Sequence, residues 1–236
     1  MTPAQLTPRE HSALAKLRRH WTDPIRIEGN TIADGLAAAL PYFRGRLLDV
    51  GCGTRPYADL VRDRIVWHVG VDLRPDPLCP PHIVADSLAL PVRSGSFDTV
   101  LCTQLLEHVR DPFELVREVA RVLSAGGHAV FTMPATWPLH EEPYDYFRYT
   151  RHGLAELVRR ADLDVVELAE RGGSIAALGQ LIAAVGYDAW GKSAATRIPF
   201  KLAATPLLFA AEVLDRAFFL RGFSLGYVLV ARKRAG

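Results

Sequence analysis

Short runs of apolar residues alternate in this chain with segments in which apolar residues recur at helical spacing. The runs predict strands at residues 47–50, 65–71, 82–86, 97–102, 128–132, 165–168 and 226–231. Helical spacing predicts helices at residues 57–64, from Pro112 to a stop at Gly126-Gly127, and at residues 153–161. Alternating strands and helices are typical of a parallel sheet with right-handed crossovers, so the pattern predicts an α/β fold.

Two segments lie outside this alternation. Residues 7–40 predict two short helices, the second opened by Asn30 and ended by Pro41. Residues 171–223 are rich in Ala, Leu and Ile and are too many for a turn, so they predict two or three inserted helices. We expect the insert to pack on the sheet edge and on a second copy of the chain, giving a homodimer, or to form a substrate lid. Peripheral membrane contact is a further alternative.

The division that follows from this pattern is a single domain over residues 1–236. It has an N-terminal helical extension at 1–44, a core at 45–170, the insert at 171–223, and a last strand and tail at 224–236. The segment between the predicted strands at residues 65–71 and 82–86 contains Pro75, Pro77, Pro80 and Pro81. Each proline removes an amide donor, so this segment is predicted to be a loop and not a long helix.

Composition narrows the function classes. The net charge of +2 and the lack of a basic run longer than residues 232–234 give no case for nucleic acid as a partner. Three widely spaced cysteines and an N-terminus without an apolar signal core predict a cytoplasmic protein. The longest uncharged stretch, residues 172–187, is shorter than the roughly 20 residues of a membrane-spanning helix. No metal site is predicted, since the sequence has neither HExxH nor clustered carboxylates.

The most informative stretch is Leu-Leu-Asp-Val-Gly-Cys-Gly-Thr at residues 47–54. An apolar strand leads into a Gly-x-Gly turn, where missing side chains let backbone amides approach a ligand. The next apolar run ends at Asp72, the position from which a carboxylate accepts hydrogen bonds from two ribose hydroxyls. Arg55-Pro56 stand where a dinucleotide fingerprint needs its third glycine, and no Gly-Lys-Ser/Thr follows. The loop therefore predicts an adenosine-containing ligand, bound by neither a dinucleotide fingerprint nor a P-loop.

With three further motifs, this loop resembles the class I S-adenosylmethionine-dependent methyltransferases. The others are Ala-Asp-Ser-Leu at residues 85–88, the passage at residues 90–100 that includes Phe-Asp-Thr-Val, and Gln-Leu-Leu-Glu-His-Val-Arg-Asp-Pro at residues 104–112. The resemblance covers residues 45–135. It implies a Rossmann-like doubly wound sheet of seven strands, mostly parallel with the last strand antiparallel, and S-adenosyl-L-methionine as cofactor. The cofactor contacts it implies are Asp49, Gly51, Cys52, Gly53, Asp72, Leu73, Asp86, Ser87 and Gln104.

Residues 140–150, His-Glu-Glu-Pro-Tyr-Asp-Tyr-Phe-Arg-Tyr-Thr, follow the fifth strand. They resemble a His-x-x-Pro-x-Asp-x-x-Arg-Tyr-Thr run of a type 11-like methyltransferase subgroup found with polysaccharide and natural-product biosynthesis, which implies a small-molecule or glycan acceptor. We expect His140 as a catalytic base oriented by Asp145, with substrate contacts from Tyr144, Arg148 and Tyr149. The structural alternative is an Arg148–Asp145 pair that holds the loop, with Thr150 as a helix cap.

The predicted reaction is methyl transfer to an acceptor oxygen by in-line displacement. His108 is a second candidate base, although a packed histidine is the simpler interpretation at that position. Two other classes stay open: a non-catalytic cofactor-binding or regulatory protein with this fold, and a nicotinamide-dependent oxidoreductase. The missing third glycine argues against the oxidoreductase.

Overall fold

The computed structural model describes residues 5–191 and 193–234. Its helices are α1 (Pro8–Leu17), α2 (Arg26–Ala39), α3 (Ala58–Val61), α4 (Pro112–Val122), α5 (Arg151–Arg159), α6 (Ser174–Trp190) and α7 (Ala194–Ala217). Its strands are β1 (Arg46–Val50), β2 (Trp67–Asp72), β3 (Ile83–Val84), β4 (Phe97–Thr103), β5 (Leu123–Pro134), β6 (Leu163–Arg171) and β7 (Gly226–Lys233).

The strands form one seven-stranded sheet in the order β3-β2-β1-β4-β5-β7-β6. Strands β1 to β5 pair in parallel, and β7 runs antiparallel to both β5 and β6. The predicted doubly wound sheet with an antiparallel last strand is therefore confirmed. The chain order reverses between β1 and β4, the topological switch point at which ligands bind beyond the carboxyl ends of strands.

The end of α4 differs from the prediction. The helix stops at Val122, and Leu123 is already extended, with φ −65° and ψ 137°. Leu123 pairs with Phe97 of β4, so the residue continues the sheet. The predicted stop at Gly126-Gly127 is therefore wrong: both glycines lie inside β5, where Gly126 adopts a φ of +73° beside an irregularity in the strand register.

The start of α2 also differs. The helix begins at Arg26, so the predicted start at Asn30 is wrong. No neighbouring side chain caps this end; the amides of Ile27 and Glu28 donate to Gln180 Oε1 at 3.0 and 3.3 Å. Gln180 lies on α6, and its Nε2 donates to the Pro24 carbonyl at 2.7 Å. A cap supplied by a residue about 150 positions away leaves no local signal in the sequence.

The described part of the insert consists of two helices, α6 and α7, as predicted. They pack on each other where Gly179 faces Ala211, and a Cβ at Gly179 would lie 2.6 Å from the Ala211 Cβ. Arg26 of α2 forms an ion pair with Glu212 of α7 at 2.9 Å, and the buried Asp215 accepts hydrogen bonds from the Gly173 and Ala176 amides. The Arg26–Glu212 pair attaches the insert to α2, and Asp215 joins α7 to the start of α6. Within the described ranges, no helix is both long and apolar enough to cross a membrane.

Candidate active site

A cleft of about 590 Å³ opens at the carboxyl ends of β1, β2 and β4. Seven of the nine predicted cofactor residues line it: Gly51, Gly53, Asp72, Leu73, Asp86, Ser87 and Gln104. The lining continues through Leu105, His108, Arg110, Glu141, Tyr144 and Tyr146. One cleft therefore joins the predicted cofactor site to the segments that follow β4 and β5.

The glycine loop is held to β2 by backbone hydrogen bonds. The amides of Gly51 and Cys52 donate to the Val71 carbonyl at 2.9 and 3.1 Å. Gly51 has a φ of +69°, and a Cβ there would lie 2.9 Å from Leu105 Cδ2, so both the backbone and the space require glycine. The loop thus keeps its backbone at the floor of the cleft.

Asp72 has a second role that the sequence did not indicate. Its Oδ2 accepts a hydrogen bond from the Gly53 amide at 2.8 Å, and its Oδ1 accepts one from the Arg74 amide at 3.1 Å. Each carboxylate oxygen has a further lone pair. The side chain can therefore hold the glycine loop and accept ribose hydroxyls at once.

Asp49 and Cys52, the other two predicted cofactor residues, lie beneath the loop and do not line the cleft. Burial raises the pKa of Asp49, whose Oδ2 lies 3.2 Å from His68 Nε2. Burial also raises the pKa of the Cys52 thiol to about 12. A Cβ at Gly70 would lie 2.7 Å from the Cys52 sulfur, so the thiol packs directly on β2.

Arg55 is one of the two residues that stand where a dinucleotide fingerprint has its third glycine. The residue adopts a φ of +55°, a conformation that favours glycine. Its guanidinium donates to the Cys79 sulfur at 3.1 Å and to the Pro80 carbonyl at 3.4 Å. These bonds join the glycine loop to the proline-rich connection between β2 and β3.

Asp86 and Gln104 combine backbone turns with positions on the cleft. Asp86 Oδ1 accepts a hydrogen bond from the Leu88 amide at 2.9 Å, which forms a turn after β3. Gln104 has a φ of +48°, its amide donates to the Thr132 carbonyl at 2.8 Å, and its Nε2 donates to Thr132 Oγ1 at 3.1 Å. Both side chains are thus positioned by local hydrogen bonds at the edge of the cleft.

His108 lines the cleft in the segment that follows β4. Its Nδ1 lies 2.8 Å from the Tyr144 carbonyl oxygen, which only accepts, so Nδ1 carries the proton. The nitrogen left with a lone pair is Nε2 when the ring is neutral. The His140 ring meets the His108 ring edge to face, with centroids 4.7 Å apart. His108 lines the cleft, and His140 lies behind it.

The structure contains both the His140–Asp145 contact and the Arg148–Asp145 pair on which the two interpretations of residues 140–150 depend. Asp145 Oδ2 lies 3.2 Å from His140 Nδ1 and accepts the His140 amide at 3.0 Å. Arg148 also binds Asp145 through both oxygens, at 2.6 and 2.7 Å. This hydrogen bond from Arg148, with the His140 contacts, lowers the pKa of Asp145 to about 2. Asp145 is therefore a fixed carboxylate that both orients His140 and holds the segment together.

The three residues predicted to contact substrate differ in position. Tyr144 lines the cleft, and the Arg74 guanidinium lies 5.4 Å from its ring centroid. Arg148 donates to the Trp137 and Pro138 carbonyls in addition to Asp145, and Tyr149 donates its hydroxyl to the Leu106 carbonyl at 2.7 Å. Neither Arg148 nor Tyr149 lines the cleft. Thr150 caps α5 through the Gly153 amide, as predicted.

Comparison with known proteins bears directly on this cleft. Residues 25–168 match the family model described as "Methyltransferase domain". The chain belongs to this family, the class I S-adenosylmethionine-dependent methyltransferases. Its cofactor is S-adenosyl-L-methionine, and the predicted family and cofactor are thereby confirmed.

Two relatives in this family are ubiquinone biosynthesis O-methyltransferases. That of Paracidovorax citrulli is 30% identical over 150 residues, a match that covers 55% of this chain and 63% of the relative. That of Ralstonia nicotianae is 28% identical over 204 residues, covering 71% of this chain and 85% of the relative. A solved S-adenosylmethionine-dependent methyltransferase from Mesorhizobium loti superposes with a TM-score of 0.56 at 21% identity, covering 88% of this chain and all of the other. The last likeness shows the fold alone.

The residues of this methyltransferase fit the cofactor. At Gly53 a Cβ would meet no other atom within 4 Å, so the glycine turn leaves open space on the cleft side, and two carboxylates, Asp72 and Asp86, stand at the ends of neighbouring strands. No phosphate-binding lysine or third glycine is present in the loop. A nucleoside without phosphate matches this set of groups.

Sequence reasoning missed Glu107. Its side chain is fully buried beside His108, and neither carboxylate oxygen has a hydrogen-bond partner among the described residues. Burial raises the pKa of this carboxyl to about 8. Glutamate is rarely buried without a partner, and nothing in the periodicity around position 107 signals it. Tyr146 and Arg110, which bond to each other at 3.0 Å in the cleft wall, were also missed as site residues.

Proposed function

We propose that this protein transfers a methyl group from S-adenosyl-L-methionine to an oxygen atom of a small-molecule acceptor. The observation that carries the proposal is that one cleft of about 590 Å³ is lined both by Asp72 and Asp86, at the ends of β2 and β3, and by His108 and Tyr144, in the segments after β4 and β5. We call these two parts the donor end and the acceptor end; a donor held at the first would present its methyl group toward the second. The names of the two relatives support oxygen as the acceptor atom.

At the donor end, each group has a distinct role. The glycine loop offers close backbone approach, Asp72 accepts the ribose hydroxyls, and Asp86 with the Ser87 amide binds the adenine edge. When bound, S-adenosyl-L-methionine supplies a methyl group on a good leaving group, so the protein needs no covalent intermediate. Alignment of an acceptor oxygen behind that carbon contributes up to about 7–11 kcal/mol to lowering the barrier.

At the acceptor end, the rings of Tyr144 and Tyr146 form a wall on which a planar or sugar-like acceptor packs. A hydroxyl acceptor gives up its proton as the new carbon–oxygen bond forms. His108 and His140 provide ring nitrogens at this end, and assisted proton removal contributes roughly 10²–10⁴-fold to the rate. The orientation of the His108 ring is fixed by its hydrogen bond to the Tyr144 carbonyl, and that of the His140 ring by its hydrogen bond to the Pro138 carbonyl and its contact with Asp145.

The test is incubation of the purified protein with methyl-labelled S-adenosyl-L-methionine and a panel of small phenols, catechols and oligosaccharides. We expect label in an acceptor as a methyl ether, and at low donor concentration much less label with the Asp72→Ala variant. Cofactor binding by calorimetry without labelled product from any acceptor or from cell extract would favour the non-catalytic alternative.

A further inference from the structure

Three side chains at the acceptor end form a cluster with the composition of a metal site. One carboxylate oxygen of Glu107, one ring nitrogen of His108 and one ring nitrogen of His140 all lie within 4.8 Å of one another. Glu107 Oε1 lies 3.9 Å from His108 Nε2. None of the three is required for the cofactor contacts described above, so the cluster needs its own explanation.

Hydrogen bonds behind the cluster orient both imidazoles. His108 donates from Nδ1 to the Tyr144 carbonyl, and His140 donates from Nδ1 to the Pro138 carbonyl at 3.3 Å, with Asp145 Oδ2 at 3.2 Å from the same nitrogen. Histidines that bind a metal commonly donate their other ring N–H to a carbonyl or a carboxylate in this way. In both rings this arrangement leaves Nε2 as the nitrogen available for coordination.

Glu107 supplies the independent observation. Its carboxylate is fully buried, and both oxygens lack a hydrogen-bond donor among the described residues. A buried polar group without a partner is costly, and native proteins seldom retain one without a function. A cation between Glu107 and the two histidines would provide the partner that these oxygens lack.

We propose that Glu107, His108 and His140 bind one divalent transition-metal ion at the acceptor end of the cleft. Two imidazoles and one carboxylate are a ligand set that suits Zn²⁺, Fe²⁺ or Co²⁺ and leaves coordination positions open. With ligands at about 2.1 Å from the ion, neighbouring ligand atoms lie about 3.0–3.4 Å apart in octahedral or tetrahedral geometry. The present separations of up to 4.8 Å therefore have to close by about 1–2 Å, through rotation of the side chains about their χ angles.

The position of the ion gives it a chemical role. His108 lines the cleft beside Tyr144, so open coordination positions face the acceptor. Coordination of an acceptor hydroxyl would lower its pKa and fix its oxygen in line with the methyl group. This role rests on the proposed methyl transfer, whereas metal binding itself does not.

The experiment is a titration of untagged, chelator-treated protein with Co²⁺, followed by visible absorption, with Zn²⁺ as competitor. We expect one Co²⁺ per chain. Glu107→Gln keeps the shape of the side chain but loses its charge, and it should weaken binding at least 100-fold, as should His140→Ala. Asp145→Asn, which alters the orientation of His140, should weaken binding about 10–100-fold.

His152→Ala is the matched control, because His152 is an exposed histidine at the start of α5. It should bind Co²⁺ like the unaltered protein. The absence of stoichiometric Co²⁺ binding, or equal binding by His140→Ala, would overturn the proposal. If the Glu107→Gln variant does not fold, the His140→Ala variant tests the proposal, because the His140 side chain of the unaltered protein is partly exposed. Co²⁺ binding without methyl transfer to any acceptor would leave the metal site standing and remove the proposed function.

A second inference comes from the outer face of the insert. Large apolar side chains on α6 and α7 are exposed at helical spacing, among them Leu178, Ile182, Val185, Ile198, Leu202 and Phe209. Trp190 at the end of α6 is 62% exposed. The opposite faces of these helices are buried against each other and on Ile27 of α2, so the exposed face is not needed for the fold. A patch of this kind marks a binding surface.

The charges on the same helices indicate what the surface binds. Arg197 and Arg216 on α7, and Arg221 just after it, are exposed, and their side chains form no hydrogen bond or ion pair within the described residues. The acids of α7 are already engaged, since Glu212 pairs with Arg26 and Asp215 caps α6. Two copies facing each other here would oppose like charges, whereas an anionic lipid surface would neutralise them.

We infer that the outer face of α6 and α7 binds the surface of an anionic lipid bilayer without crossing it. The experiment is co-sedimentation with vesicles of phosphatidylcholine and phosphatidylglycerol at 7:3, against pure phosphatidylcholine. We expect binding to the anionic vesicles alone. Binding should fall at least tenfold in Ile182→Asp with Leu202→Asp, and also in Arg216→Gln with Arg221→Gln.

Trp67→Asp is the control, since Trp67 is exposed to a similar degree, 61%, at the start of β2. It should leave vesicle binding unchanged. Recovery of the unaltered protein in the supernatant with both kinds of vesicle would overturn the inference. So would a dimer in sedimentation analysis that Ile182→Asp with Leu202→Asp converts to monomer, because the face would then bind a second copy.

Discussion

His108 and His140 meet edge to face with ring centroids 4.7 Å apart. One ring follows β4 and the other follows β5, and these two strands are neighbours in the sheet. Parallel neighbours end at the same edge of the sheet, so residues that follow them come together however far apart they are in sequence. This pairing places two ring nitrogens and the buried Glu107 at one end of the cleft.

Asp72 should be the most sensitive cofactor residue. Asp72→Ala removes an acceptor for the ribose and also the acceptor of the Gly53 amide. Charge-assisted hydrogen bonds contribute about 1.5–3 kcal/mol, so the affinity for S-adenosyl-L-methionine should fall more than tenfold. Isothermal calorimetry measures this, with Asp59→Ala, an exposed acid on α3, as the control. Unchanged affinity in a folded Asp72→Ala protein would contradict the assignment.

His140 should affect turnover and leave the donor site intact. It packs on His108 and is not among the residues that line the cleft, whereas the glycine loop, Asp72 and Asp86 are. His140→Ala should lower kcat about 100-fold or more. This holds whether the ring accepts the proton of the acceptor hydroxyl or binds a cation that promotes the loss of that proton. Equilibrium dialysis with labelled donor should give the same affinity as before. A full rate over the whole pH range would exclude His140 from catalysis.

Gln180 should contribute to stability through the start of α2. Its side chain accepts two amide hydrogen bonds and donates one to Pro24, all in buried surroundings. Gln180→Ala leaves these groups without partners, which costs about 1–3 kcal/mol in the free energy of unfolding. Urea unfolding followed by circular dichroism measures the loss. Leu178→Ala, on the exposed face of the same helix, should change stability much less.

Glu107 should make the free energy of unfolding of the metal-free protein depend on pH. The pKa of the carboxyl is about 8 in the folded chain, against an ordinary value of 4.5 that applies to the unfolded chain. Between these values the folded state holds a proton that the unfolded state has lost. Its contribution to stability is therefore complete below pH 4.5 and declines as the pH rises toward 8.

The measurement compares the unaltered protein with Glu107→Gln in chelator at several pH values. Glutamine carries no titrating proton, so the difference in unfolding free energy between the two proteins should change by up to about 1.4 kcal/mol per pH unit in this window. A constant difference across the window would show that Glu107 titrates normally in the folded state.

Local chemistry made much of the core predictable. The period-two and continuous apolar runs determine β1, β2 and β4, and the Gly51-Cys52-Gly53 turn determines where the backbone can approach a ligand, because glycine alone tolerates that geometry beneath Leu105. Thr150 caps α5 from a neighbouring position. Such features depend on residues within a few positions of each other, so they can be read along the chain.

The remaining features depend on partners from other parts of the fold. The start of α2 requires Gln180 from α6, and Leu123 is a strand residue because it pairs with Phe97. Burial likewise depends on the whole fold, since the Glu107 carboxyl is excluded from solvent only when several elements pack around it. The sequence by itself therefore determined the sheet and the cofactor loop, whereas tertiary packing alone decided which residues stand at the acceptor end and which of them lack a partner.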